Sequence, residues 1–245
     1  MATGQQTIGE LPFRSVWPWS SDTTPGYEIT YLLLSYSSWL TSTANPGIDC
    51  TFMGICFHIS AEFTSIKTRL AGLAAKIDKL APDWHVLHAE DNEKVYAELR
   101  ETVDKHNATI ELCETSQTLA QEMILIHFIT SAMVICMNGV NLIIARGAAK
   151  AIYVCYIMTA LIQAFVFCYG GDSLEESSTQ LNTELYNLSW HKLNANGRRA
   201  IAMMIQRTNK TISIAVPFFR VSMPTFANII QASGSYVTLL NTFLE

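Results

Sequence analysis

Charge is the scarcest commodity in this sequence. Only 15% of its 245 residues are Asp, Glu, Lys or Arg, against about 25% in an ordinary soluble domain. Together with 49% hydrophobic residues and a mean hydropathy of +0.20, that deficit points to an integral membrane protein. No Lys/Arg-rich run is present and the net charge is −5, so nucleic acid is not an expected partner. The six cysteines, Cys50, Cys56, Cys113, Cys136, Cys155 and Cys168, show no CxxC or other tight ligand spacing. They read as buried thiols, with neither a disulfide framework nor a metal site expected. Missing too are a glycine-rich phosphate loop, a Gly-x-Ser-x-Gly elbow and a His-Glu-x-x-His pair, so no catalytic residue, enzyme activity or cofactor is assigned. Residues 1–10 are polar and lack the basic start and apolar centre of a secretory leader.

What is present is a set of long apolar stretches separated by charged helical ones. Residues 1–26, with Pro12, Trp17, Pro18, Trp19 and Pro25, read as an interface loop, since prolines break periodicity and tryptophans settle at headgroup depth. Residues 27–73 read as one helix, kinked at Pro46, whose second half leaves the bilayer. Residues 74–121 are charged and helical in pattern, and lie outside it. Two further spans follow at 122–145 and 148–170, with Gly170-Gly171 marking the exit of the second. A polar region covers 171–210, and a last span covers 211–245. A helix from Phe218 to Phe243 is about 39 Å long at ~1.5 Å per residue, enough to cross a bilayer. The expected fold class is all-α: a polytopic membrane protein with four long transmembrane helices.

The distribution of Lys and Arg fixes an expected orientation. Seven fall after the first span, five between 171 and 210 (Lys192, Arg198, Arg199, Arg207 and Lys210), and three on the opposite side (Arg14, Arg146 and Lys150). The two long loops are therefore expected in the cytoplasm and the C-terminus outside. Arg220 is left near the inner boundary of the last span, where its stem can snorkel. Three sequons, at Asn107, Asn187 and Asn209, are then cytoplasmic and not expected to carry glycan.

The last span is unusual for its polar residues. Ser222, Thr225, Asn228, Gln231, Ser235, Thr238 and Asn241 follow one another at spacings of three and four, which puts them on one broad stripe. Such a stripe packs against other helices through small and hydroxyl groups, or lines a water-filled path. Periodicity alone leaves both readings open.

Several stretches together resemble the C-terminal part of the insect odorant receptors. Leu11-Pro-Phe, Trp17-Pro-Trp, Pro25-Gly-Tyr-Glu-Ile-Thr-Tyr31 and Gly47-Ile-Asp-Cys-Thr-Phe, with His58 and Phe63 beyond, are similar to the family's second extracellular loop and fourth span. Phe167-Cys-Tyr-Gly-Gly-Asp-Ser-Leu174, Ser177 and Trp190 resemble the end of its sixth span. Pro217-Phe-Phe, Phe226 and Ser233-Gly-Ser-Tyr-Val-Thr-Leu-Leu240 resemble its seventh. The resemblance implies that the four helices are spans 4 to 7 of a seven-span fold, joined through a cytoplasmic helical anchor region. It implies an odorant-gated, non-selective cation channel in the plasma membrane of olfactory neurons, acting as a hetero-tetramer with a shared co-receptor. The first three spans are not in this sequence, so a non-conducting fragment, isoform or truncated gene product is an alternative. A chemosensory receptor of G-protein-coupled type is another, disfavoured by the outward C-terminus.

Site residues follow from the same resemblance. Matching on Ser235-Tyr236 places Leu239 and Phe243 where the family carries apolar gate residues, with Leu240 as fallback, and Gln231, Ser235 and Thr238 beside them to hydrate an ion. For a small volatile odorant, Tyr36, Trp39 and Thr43 share a helical face with Tyr31 to its side, and Tyr153 and Tyr156 lie three apart on the third span. Those aromatics suit an apolar pocket with one orienting hydroxyl. Asp83, His85, His88, Glu90 and Asp91 read as a solvated face rather than a metal site. Trp190, Leu193, Ile201, Met204 and Ile205 read as packing between subunits.

Overall fold

The computed structural model describes residues 11, 16–19, 24–82, 87–210 and 212–244, with the side chains of Leu240, Asn241, Phe243 and Leu244 outside the described set. Its elements in chain order are α1 (Gly26–Leu80), α2 (Ala89–Ile144), α3 (Ala149–Asn187), a 3-10 turn (Trp190–Lys192), α4 (Ala195–Thr208), β1 (Ala215–Val216), β2 (Phe219–Arg220) and α5 (Met223–Leu244). Apart from the two-stranded antiparallel ribbon, the described architecture is helical throughout.

The chain divides into two compact units, 1–51 and 52–245. In the first, the Trp17 and Trp19 rings lie 5.1 Å apart. Trp19 Nε1 donates 2.9 Å to the Thr30 hydroxyl, which donates 2.8 Å to the carbonyl of Gly26. These bonds pin the tryptophan pair to the first turn of α1 and explain why Thr30 is fully buried there.

The second unit is organised by a seven-residue repeat. On α1 the buried positions are Phe52, Cys56, Ile59, Phe63, Ile66, Leu70, Leu73 and Ile77, alternately four and three apart. On α3 the buried series Ala160, Ala164, Phe167, Gly171, Leu174, Ser178, Leu181 and Leu185 keeps the same alternation. A mean spacing of 3.5 holds one narrow seam facing its neighbours, the pattern of coiled coils. On α2 the seam is mostly polar over its first half, at Asn92, Val95, Leu99, Thr102, His106, Thr109 and Cys113. Its hydroxyls bond back to their own helix: Thr102 to the Glu98 carbonyl at 2.9 Å and Thr109 to that of Lys105 at 2.9 Å. They are thereby satisfied without a partner helix.

Cross-helix polar contacts flank the seam. Ser60 and Ser177 join their hydroxyls at 2.5 Å, Arg69 pairs with Glu101 at 2.6 Å and Lys105 with Glu62 at 2.7 Å, while Lys76 pairs with Glu98. The far end is closed by a denser corner. Lys192, mostly buried, donates 2.8 Å to both Asp78 Oδ1 and the Ala81 carbonyl, and Ser189 donates 2.7 Å to the same carboxylate. The Asn92 side chain accepts from Asn194 N at 3.0 Å, and the Asn194 side chain in turn caps α4 through Gly197 N at 2.8 Å. Lys192 and Ser189 hold the Asp78 carboxyl below its ordinary value.

His106 gives this bundle a distinct pH response. It is 1% exposed, edge-on to Phe63 at 6.3 Å, and its Nε2 has no hydrogen-bond partner among the described residues. Burial, and secondarily the Arg207 guanidinium, push its pKa from 6.5 down to about 4. The folded imidazole is neutral where the unfolded one takes a proton, so its contribution is complete above pH 6.5 and is lost as pH falls toward 4. Wild type is expected to lose at most about 3 kcal/mol across that window, and His106→Phe to flatten the loss, read from thermal midpoints between pH 7 and 4.5. The Asp78 carboxyl, shifted down from 3.8, contributes only to a loss below that value.

Several sequence expectations change here. α3 runs on as one helix past Gly170-Gly171, the expected exit of its span, to Asn187. The last helix begins at Met223 rather than Phe218, because Pro217-Phe218 turns the ribbon and Thr225 N bonds the Ser222 carbonyl at 3.0 Å to open α5. Only Cys56, Cys113 and Cys168 are buried; Cys136 is half-buried, and Cys50 and Cys155 are exposed. Leu193, Ile201 and Met204 belong to the chain's own core, with Ile205 packed against it, leaving Trp190 as the exposed member of that group.

Two helices, α2 and α3, carry 18-residue windows of mean hydropathy 1.9 and 2.0, of which only 28% and 22% is buried. A core helix of a soluble protein hides such a window; these leave most of theirs open to lipid or to other subunits. α5 is interrupted by its polar stripe and α1 by the Ser/Thr-rich stretch before Pro46, and neither meets that measure among the described residues.

Candidate functional site

The helix α5 has two opposed faces. Met223, Phe226 and Ile229 pack against the core; Ser233 is buried and Val237 half-buried, continuing that face at helical spacing. Phe226 meets Phe165 edge-on at 5.7 Å. Val237 lies over Gly139 of α2, where an added Cβ would come within 2.5 Å of Val237 Cγ2. Ser233 and Gly139 are small for the same reason, since each lets two helix backbones approach closely.

Opposite lies the stripe. Asn228, Gln231, Ser235 and Thr238 are all exposed, while Ser222 and Thr225 at its start are half-buried. The packing face of α5 is thus formed by other residues, and the four central polar side chains project away from the chain. Thr238 donates its hydroxyl proton to the carbonyls of Gly234 and Ser235 at 3.0 and 2.8 Å. That leaves its oxygen lone pairs facing outward, as an acceptor surface. No residue of α5 carries a formal charge.

Leu239 is 54% exposed and falls beside Ser235 on the outward face, so it interrupts the stripe with an apolar side chain. The side chains of Leu240 and Phe243 lie outside the described residues.

The aromatic candidates separate into two faces. In the first unit Tyr31, Tyr36 and Trp39 are 44%, 61% and 62% exposed. The rings of Tyr36 and Trp39 lie 6.2 Å apart, and Thr43 donates 3.0 Å to the Trp39 carbonyl. In the second unit Tyr153 is half-buried on the inner seam of α3, and Tyr156, a sixth of a turn round, is exposed. Of the acidic and histidine cluster, His88 and Glu90 are exposed and Asp91 half-buried; Asp83 and His85 lie outside the described residues.

The sequence of residues 2–234 matches the family model described as 7tm Odorant receptor. The chain belongs to the odorant receptor family. Among curated proteins this odorant receptor is 34% identical over 237 residues to Odorant receptor 22c of Drosophila melanogaster, covering 96% of this chain and 58% of that protein. It is 31% identical over 238 residues to Odorant receptor 10a of the same organism, covering 95% and 57%. Its fold matches the insect olfactory receptor OR5 from Machilis hrabei, solved in complex with eugenol, with a TM-score of 0.75 at 17% identity over 94% of this chain and 56% of that one. The receptor chain thus spans a little over half the length of the proteins it matches. The family is one of membrane-embedded olfactory receptors and not of enzymes, and the resemblance carried by the Trp17-Pro-Trp, Phe167–Leu174 and Ser233–Leu240 motifs is borne out.

Sequence reasoning found the stripe but not what lies behind it. Gly139 and Gly171 hold the α5 region against α2 and α3; Gly139 does not stand out among twelve glycines, and Gly171 reads only as a span exit. Pairing α2 with α5 reveals the first, and α3 with the segment before α5 the second.

Proposed function

We propose that this odorant receptor chain is a subunit of an odorant-gated, non-selective cation channel, assembling with a co-receptor as a hetero-tetramer in the plasma membrane of olfactory neurons. In this reading α1, α2, α3 and α5 all cross the bilayer, the Lys/Arg-rich ends of the bundle lie in the cytoplasm, and the C-terminus is outside. Copies of α5 surround a central path. The observation that carries the reading is the outward stripe: four uncharged polar side chains on a membrane helix whose opposite face is already packed. Polar groups avoid lipid, and the chain's own helices do not cover these, so water in a pore satisfies them.

Leu239 and Phe243 form the gate in this account. A ring of apolar side chains expels water until the helices move apart, and a slight outward shift restores conduction. The ligand is a small, largely apolar volatile of the size of eugenol, the compound bound by the Machilis hrabei receptor. The candidate contacts, each taken on its own unit, are Tyr31, Tyr36, Trp39 and Thr43 in the first and Tyr153 and Tyr156 in the second; both sets offer apolar aromatic surface with a hydroxyl for orientation. An odorant opens the channel only by binding the open arrangement more tightly than the closed one.

Thiol accessibility tests the stripe. In a background with Cys50 and Cys155 changed to Ser, cysteines at Asn228, Gln231, Ser235 and Thr238 are expected to react with a water-soluble thiol reagent and block more than half of the odorant current. Cysteines at Phe226 and Ile229 are expected to leave it unchanged. Equal reactivity on both faces contradicts a pore-lining α5.

A further inference from the structure

Three cations from two segments of the chain converge on one cavity. Arg207 on α4, Lys210 just after it and Arg220 at the end of β2 line a space of about 500 Å³, backed by Ile110 and Cys113 of α2. Glu114 is the one carboxylate on its wall, bonded by Arg207 Nη2 at 2.8 Å. Arg220 reaches Glu175 only at 3.9 Å, with its side chain 66% exposed. In a protein of net charge −5, this is a local excess of positive charge held open by the fold. Gln117 Nε2 donates 3.2 Å to the Ala215 carbonyl and fixes the ribbon that forms one side.

The position of the cavity selects the ligand. Gln117 lies just before the apolar run of α2 that starts at Met123, and Arg220 lies just before α5. At this level α2 changes from charged to apolar, and the chain passes from the charged Arg220 into the uncharged α5. Between them the ribbon's turn presents Phe218, 82% exposed. A bulky apolar tip beside cations is the composition of a segment that enters the headgroup layer.

We infer that the cavity lined by Arg207, Lys210 and Arg220 binds a phosphate-bearing polyanion at the membrane surface. Guanidinium and ammonium groups supply charge-assisted hydrogen bonds to phosphate oxygens, and Arg207 exchanges its exposed pairing with Glu114 for them. The placement rests on the proposed crossing of the bilayer by α2 and α5; the site itself needs only the cavity and its charges.

The test uses the purified 245-residue chain in phosphatidylcholine nanodiscs, with incorporation confirmed by size-exclusion chromatography before any binding is read. Failure to incorporate counts against the membrane reading, not against the cavity. Phosphatidylinositol 4,5-bisphosphate in the disc is expected to bind the wild type at least ten-fold more tightly than the K210Q/R220Q variant. The control R198Q/R199Q removes two exposed charges from α4 outside the cavity and is expected to stay within two-fold of wild type. Soluble inositol 1,4,5-trisphosphate, added to discs lacking the lipid, identifies the source. Binding with the same dependence on Lys210 and Arg220 assigns the site to aqueous phosphates, and binding confined to the lipid assigns it to the headgroup. Equal affinity in wild type and K210Q/R220Q, or equal losses in both double variants, overturns the proposal.

Discussion

Gly171→Val is expected to prevent the receptor chain from reaching the cell surface. The α-carbon of Gly171 lies against the backbone carbonyl of Val221, and a Cβ there would overlap that oxygen and crowd Val221 Cγ1 at 3.1 Å. A backbone oxygen cannot rotate away as a side chain does. Val221 is further held by its N–H, which bonds the Ile214 carbonyl at 2.9 Å. Relief therefore requires the segment leading into α5 to lift off α3, at a cost on the order of 3 kcal/mol or more. Gly170→Ala is the matched control. Its Cβ would meet the terminal Sδ of Met53 at 2.8 Å, a flexible group that moves aside, and Ala gains roughly 1 kcal/mol of helix propensity over Gly. Surface biotinylation should show Gly170→Ala near wild type and Gly171→Val retained inside the cell. Normal delivery of Gly171→Val would mean that the segment leading into α5 does not sit against α3 as described.

The second large effect is expected at Phe167. Its ring is fully buried, stacked on Phe52 at 4.6 Å and on His127 at 4.4 Å, with Phe128 edge-on at 6.2 Å. One side chain thereby joins α1, α2 and α3 at a single level. Within a bilayer the transfer of apolar surface from water contributes little to helix association, so the stability here is mostly contact and shape. Phe167→Ala removes those contacts and leaves a cavity, with an expected cost of about 3–5 kcal/mol. Phe167→Leu keeps most of the volume and is expected to cost about 1.5 kcal/mol or less. Thermal midpoints of the purified chain in nanodiscs measure both. Similar midpoints for the Ala and Leu variants would show that volume at this position does not matter.

How much of this was legible in the sequence varied with the chemistry of each element. The inner face of α1 from Phe52 to Ile77 is apolar at nearly every seam position, so its helix declared itself. The matching seam of α2 uses Asn92, Thr102, His106 and Thr109. Polar residues that bond back to their own helix look the same in sequence as residues facing water, which is why 74–121 read only as charged and helical. The last helix is expected from Phe218, where the apolar segment begins; here Pro217-Phe218 turns a short ribbon, and the Ser222 carbonyl opens α5 instead. Gly170-Gly171 reads as the exit of a span, from where the apolar run stops; Gly171 has a further part that this reading misses. Its role is close approach, which depends on Val221, fifty residues away in sequence.

The stripe on α5 was fully legible from its spacing, but its direction was not. Packing stripes and outward-facing stripes share one periodicity; what separates them is that Ser233 is buried, and Phe226 and Ile229 are half-buried, on the opposite face. The candidate odorant contacts were chosen as aromatics sharing helical faces, and the structure places Tyr36 with Trp39 on the first unit and Tyr153 with Tyr156 on the second. Shape-selective apolar recognition leaves no signature in residue spacing.

We propose that this chain adds an odorant-gated conduction path to a co-receptor complex. The direct measurement is whole-cell current from cells expressing the chain with an insect co-receptor, against co-receptor alone, across a broad panel of volatiles. The account predicts an added odorant-dependent inward cation current whose opening is altered by Leu239→Ala. Confirmed surface delivery of the complex with no added current for any volatile would contradict it, leaving a chain that assembles but does not conduct.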